Sequence, residues 1–174
     1  MSRISSGYSS QVERDEVDEL VEAWHRERAD LDLGPVEVFS RVGRLARLLD
    51  RVRREAFSAH AVESWEFDVL AALRRAGRPY ELTPGALLRQ TMVTSGTMTN
   101  RVDRLVGRAL VVRRPDPGDR RGVLVRLTSE GKSTVDAAFE SLLAREADLL
   151  GDLPAAERTR LAALLKQLME PLAP

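Results

Sequence analysis

Five polar side chains fall within ten residues of this chain: Ser95, Thr97, Thr99, Asn100 and Arg104, in "TSGTMTNRVDRLVGRAL". Hydroxyl, carboxamide and guanidinium groups at the start of a helix can hydrogen-bond base edges and phosphates. The helix N-terminus itself also favours an anion. Further on, "PDPGDRRG" (residues 115–122) sets Arg120 and Arg121 side by side between the apolar runs "ALVV" and "VLVRL". Those flanks predict two short strands, and the middle predicts their turn. A turn tip with two arginines suits a narrow minor groove, whose negative potential attracts arginine. The chemistry suggested is contact with duplex DNA.

The segment before the turn predicts the elements that would hold it. Val93, Met98, Val102 and Leu105 can face inward, which turns the five polar residues and Asp103 outward. "TPGALLRQ" precedes them as a short helix, with Thr83 as cap and Pro84 in its first turn. Two short helices joined by a tight turn, the second polar outside, form the helix-turn-helix pattern. A hairpin over 110–127 follows.

Helical arms flank this module. Val17, Leu20, Val21 and Trp24 recur at helical spacing within 13–29, and Val38, Val42, Leu45, Leu49, Val52 and Ala56 within 36–57. "ESWEFDVLAALRRAG" is a helix stopped by Gly77. A long helix starts near Thr128, with Val135, Phe139, Leu142 and Leu150 on its apolar side. The last helix carries Leu161, Leu164, Leu165, Leu168 and Leu172 on one stripe. These terminal helices hold more leucine than a small module needs, and packing against a second copy would use it. A two-fold dimer would in turn match a palindromic DNA site. The fold class expected is mostly α with a small β-hairpin. Residues 1–34 form a tail (1–10 flexible) and an extra helix; 35–58 and 128–174 form a helical dimerisation region; 59–127 form the DNA-binding module.

Composition narrows the function. The net charge of the 174 residues is zero, but residues 1–33 carry nine Asp/Glu against four Arg, and residues 89–126 carry nine Arg against three Asp. A local +6 segment marks an anion-binding surface, which a purely packing module does not need. Arg outnumbers Lys 25 to 2, a bias ascribed chiefly to a GC-rich genome. With no cysteine and two histidines, His25 and His60, no metal site is expected. No nucleophile–base set, P-loop or G-x-G-x-x-G motif suggests an enzyme. No apolar signal or membrane segment is seen, so a cytoplasmic, nucleoid-associated protein is expected.

"SGTMTNRVDRLVGRALVVRRPDPGDRRGVLVRLTSEG" resembles the recognition helix and wing of the MarR family of bacterial regulators. The wing signature D-P-x-D-R-R, then a strand and L-T-x-x-G, is met by "DPGDRRGVLVRLTSEG". The similarity spans residues 35–172 in helix order. It implies a winged helix-turn-helix homodimer on a palindromic operator, usually a repressor, commonly released by a small ligand and needing no cofactor.

The extra N-terminal helix resembles the PecS-like, urate-responsive branch of that family. On that resemblance the ligand-binding residues are Trp24 in "EAWHRE", Asp68 in "WEFDVL", Arg101 in "MTNR" and Arg113 in "VVRRP". Asp68 interrupts an apolar segment, where a bare charge is costly without a partner. The resemblance supplies Arg113 as that partner. A planar anion such as urate would stack on Trp24, meet Arg101 and loosen the Asp68–Arg113 pair. A structural salt bridge at Asp68, a phosphate contact at Arg101, and a dicarboxylate, tricarboxylate or phenolic effector stand as alternatives.

Overall fold

The structure, a computed structural model, describes residues 13–151 and 153–172. The tail expected over 1–10 lies outside the described residues, as do the side chains of Arg120 and Leu172. The chain divides into two compact units, 1–49 and 50–174.

In the first unit α1 (Glu16–Glu27) begins three residues later than the sequence predicts, because Asp15 caps it. The Asp15 carboxylate accepts hydrogen bonds from the backbone of Val17 (2.8 Å) and Asp18 (3.0 Å). The Asp18 side chain accepts one in return from the Asp15 backbone at 2.8 Å. Glu16, Asp18 and Glu19 place negative charge at the positive end of the helix dipole. Arg41, on α2 (Gly34–Ser58), donates to Asp15 at 2.8 Å and to Asp18 at 2.6 Å, tying the two helices. This arrangement pulls the Asp15 carboxyl down to about 2; the hydrogen bond from Arg41 is the chief cause.

The second unit follows the predicted order. It runs α3 (Ser64–Arg75), β1 (Glu81–Leu82), α4 (Pro84–Thr91), α5 (Ser95–Gly107), β2 (Val111–Asp116), β3 (Asp119–Leu127), α6 (Ser129–Leu150) and α7 (Ala155–Met169). A single 3-10 turn, Glu170–Leu172, closes it. The sheet is antiparallel in the order β1-β3-β2. Strand β1 is an addition to the sequence reading: two residues are too few to show an alternating pattern. It pairs Glu81 with Arg126 and Leu82 with Val125.

The core of this unit joins the end of α2 to α3, α4, α5, the hairpin and α6. Phe57 and Phe67 stack with centroids 4.1 Å apart. Leu70, Leu73, Leu87, Met98, Leu105, Val111, Val125 and Ala138 are buried around them. One contact fixes the hairpin against α6. Gly131 lies so close to the chain at Leu110 that a Cβ there would sit 1.9 Å from the Leu110 carbonyl oxygen. Thr128 caps α6, accepting from the Gly131 backbone at 2.9 Å, and its hydroxyl faces the carbonyls of Ala109 and Leu110. The L-T-x-x-G motif is thus a joint between wing and helix.

Much apolar surface stays uncovered in the single chain. Helix α7 buries no residue, and Leu161, Leu164, Leu165 and Leu168 are all exposed. Phe139 and Leu143 of α6, and Val38, Val42 and Leu45 of α2, are exposed too.

Candidate nucleic-acid interface

The two short helices meet through a three-residue turn. Thr83 caps α4 by accepting from the Ala86 backbone at 3.2 Å. Met92 ends α4 in the left-handed region (φ 50°) and is 92% exposed. Thr94 then caps α5, accepting from the Thr97 backbone. Met98, Val102 and Leu105 are buried, while Ser95, Thr97, Thr99, Asn100 and Arg104 are exposed. Asp103 is exposed with them.

These outward groups differ in how free they are. Thr97 and Thr94 share a hydroxyl–hydroxyl bond of 2.9 Å, and the Thr99 hydroxyl donates to the Ser95 carbonyl at 3.1 Å. Arg104 donates to Glu63 at 2.7 Å. Ser95 and Asn100 make no side-chain hydrogen bond among the described residues. Their full donor and acceptor capacity faces outward at the N-terminal half of α5.

The hairpin carries the remaining candidates. Its ladder runs in register from Val111–Leu127 to Pro115–Val123, then jumps to Asp116–Asp119. Residues 120–122 therefore bulge out of the ladder at the tip. Asp116 accepts from the Gly118 backbone (2.8 Å) and Asp119 from the Arg121 backbone (2.9 Å), and these short loops shape the turn. Arg121 is exposed, and with Arg113, Arg114, Pro115, Gly122 and Val123 it lines an open groove of about 350 Å³. Arg114 is an addition to the candidates read from the sequence. Its signal there is the charge surplus of the segment, which does not name a side chain.

The ligand-binding candidates are partnered differently from the expectation. Asp68 pairs with Arg53 at 3.3 Å, and Arg113 pairs with Asp103 at 2.5 Å. The expected Asp68–Arg113 pair is absent from this structure. The reason is the rotation of α3. It buries Glu66, Phe67, Val69, Leu70, Ala71, Ala72 and Leu73, which leaves Asp68 on its narrow outer side, with about half of its side chain exposed. The buried carboxylate is instead Glu66. It accepts from the Glu63 backbone at 3.0 Å and pairs with Arg108, just past the end of α5. Its other oxygen, Oε1, has no hydrogen-bond partner among the described residues. Arg101 lies over the ring of Trp65, 5.5 Å from its centroid. Trp24, in the first unit, is 49% exposed on α1.

Among the described residues no cluster of His, Cys, Asp and Glu could hold a metal ion, and no helix is long and apolar enough to cross a membrane.

Comparison with known proteins is consistent with this geometry. A family model described as "MarR family" matches residues 62–122, from the loop before α3 to the wing tip. The chain is 38% identical to the HTH-type transcriptional regulator PecS of Dickeya dadantii, over 86% of this chain and 90% of that one. A mutant of Escherichia coli MarR complexed with operator DNA superposes with a TM-score of 0.64 at 28% identity, covering 90% of this chain and 99% of that one. Another similar structure concerns the regulation of DNA binding of Bordetella bronchiseptica BpsR by 6-hydroxynicotinic acid. Its TM-score is 0.57 at 28% identity, over 74% of this chain and 98% of that one. A relative so similar over most of both chains places the protein: it belongs to the MarR family of winged helix-turn-helix transcriptional regulators, within its PecS-like branch, and is not an enzyme.

Proposed function

We propose that the chain is a repressor that binds a palindromic operator as a homodimer and is released by a small anion of the urate type. The observation that carries the DNA reading is the exposed face of α5 (Ser95, Thr97, Thr99, Asn100, Arg104) beside an arginine-lined wing. Residues 59–127 are the reading module on this view, with 35–58 and 128–174 as dimerisation helices. The uncovered leucines of α7 support the dimer, since a stripe of that kind costs free energy in water until covered. A two-fold dimer would read half-sites about one helical turn, roughly 10 bp, apart.

Effector release is assigned to Trp24, Asp68, Arg101 and Arg113. The urate-type ligand rests on the resemblance of the extra N-terminal helix to the urate-responsive branch. BpsR, a relative whose DNA binding responds to 6-hydroxynicotinic acid, supports an aromatic acid as the second choice. Either presents a planar anion to arginine.

Mobility shift with the intergenic DNA beside the chain's own gene tests both parts. Binding should be sequence-selective and weaken steeply with salt, and urate should reduce it. Replacing Arg120 and Arg121 by alanine should weaken binding and lower the salt slope by about one for each phosphate no longer met. Absence of a selective shift would refute the DNA reading. Urate that neither binds in calorimetry nor releases DNA would refute the ligand alone.

A further inference from the structure

The N-cap and first turn of α3 carry Glu63, Trp65 and Glu66, and each meets an arginine on or just after α5. Arg101 and Arg104 are three residues apart, so they share one side of the helix. Both guanidinium carbons lie over the same indole, at 5.5 and 4.7 Å from its centroid. That is within the range of cation–π attraction, for which tryptophan is the strongest partner. The indole is itself held. Its Nε1–H donates to Glu63 Oε2 at 2.6 Å, while Glu63 Oε1 accepts from Arg104 at 2.7 Å. Ring, carboxylate and guanidinium close a triangle. The hydrogen bond from Trp65, and then that from Arg104, holds the Glu63 carboxyl below its ordinary range. Behind it, Arg108 joins the buried Glu66 and also donates to the Ala61 carbonyl at 2.8 Å, fixing the far end of α5.

We propose that Trp65 is a positioning residue for DNA binding: its ring is the platform that presents Arg101 and Arg104, and Glu63 sets the ring's angle. The inference rests on the DNA reading above. An aromatic face can hold a guanidinium by its plane while the N–H edge stays free for a phosphate. A long, otherwise rotamer-rich side chain is then ordered before DNA arrives, and less freedom is lost on binding. The same contact leaves an optical reporter beside both cations.

The test uses the full chain in a Trp24→Phe background, where Trp65 is the only tryptophan. Replacing Arg101 and Arg104 by glutamine should change Trp65 emission in the free protein. Titrating the parent with the intergenic duplex should change it too, and added salt should reverse that change. Trp65→Leu should bind the duplex about tenfold more weakly, the size of two exposed cation–π contacts, while Trp65→Phe, which keeps a ring, should restore most of the affinity. Melting temperature reports folding throughout. If Trp65→Leu does not fold, the phenylalanine variant and the emission measurements decide. Emission indifferent to both the arginines and the DNA, or a folded Trp65→Leu that binds as tightly as its parent, overturns the platform. If the parent binds no DNA, the DNA reading fails, and the free-protein emission alone judges the platform.

Discussion

Gly131→Ala should unfold the joint between wing and α6. The added methyl would lie 1.9, 2.9 and 3.2 Å from the carbonyl oxygen, carbonyl carbon and Cα of Leu110, all of them backbone. Real Cβ contacts do not fall below 3.0 Å, so the two backbone segments must part by at least 1.1 Å (3.0 less 1.9). Separation of that size breaks the bond from the Thr128 backbone to the Leu110 carbonyl, now 3.1 Å, and strains the Thr128 hydroxyl contacts. Overpacking costs about 1–3 kcal/mol, and each broken hydrogen bond about 1 kcal/mol. The better helix propensity of alanine returns at most about 1 kcal/mol. The net expectation is a destabilisation of about 1–4 kcal/mol, read by urea denaturation. Gly107→Ala is the control, because nothing lies within 4 Å of a Cβ there. It should be neutral, or stabilising by up to about 1 kcal/mol. Equal stability of the two variants would refute the close-approach argument.

Three further outcomes follow from the geometry. Asp15 titrates at about 2 in the fold against 3.8 as a free group, so its contribution is complete above about pH 4 and is lost as pH falls through 2. Helix α1 should hold to that point in an acid titration followed by Trp24 emission in a Trp65→Phe variant; release between pH 5 and 7 would contradict the capping role. Glu66→Gln should destabilise by about 1–3 kcal/mol, because the buried position loses its charged bond to Arg108, while Asp68→Asn should cost under about 0.5 kcal/mol at its half-exposed pair. A reversed order in denaturation would mean that the inward face of α3 is misplaced. Leu164→Glu, on the exposed stripe of α7, should shift sedimentation from dimer to monomer and weaken operator binding; an unchanged dimer would move the interface elsewhere.

The helical order and the wing are legible in the sequence because periodicity and turn chemistry are local signals. Of the inward set Val93, Met98, Val102 and Leu105, the structure buries the last three and half-buries Val93, which lies in the turn before α5. The partners of charges are not legible. Glu66 and Asp68 both interrupt an apolar run, and the sequence reading takes only the second as a candidate. The step 66-69-70-73 is the i, i+3, i+4, i+7 pattern of a buried face, so the signal for Glu66 is present but masked by its charge. Arg53, Asp103 and Arg108 cannot be matched to their partners by pattern, because each reaches across elements 10–42 residues apart. Strand β1 depends on β3 for its existence, and two residues carry no pattern of their own.

The break in the hairpin ladder separates two kinds of inheritance. Up to Pro115 and Val123 the strands are paired in phase, and that phase decides whether Val125 and Leu127 face the core. Residues 120–122 stand outside the phase. A change of charge at Arg121 leaves the inward faces where they were, whereas Gly122 has no room for a side chain beside Asp116 and Asp119. If the wing meets DNA as proposed, its tip is thus free to drift toward new contacts over generations without the core having to follow.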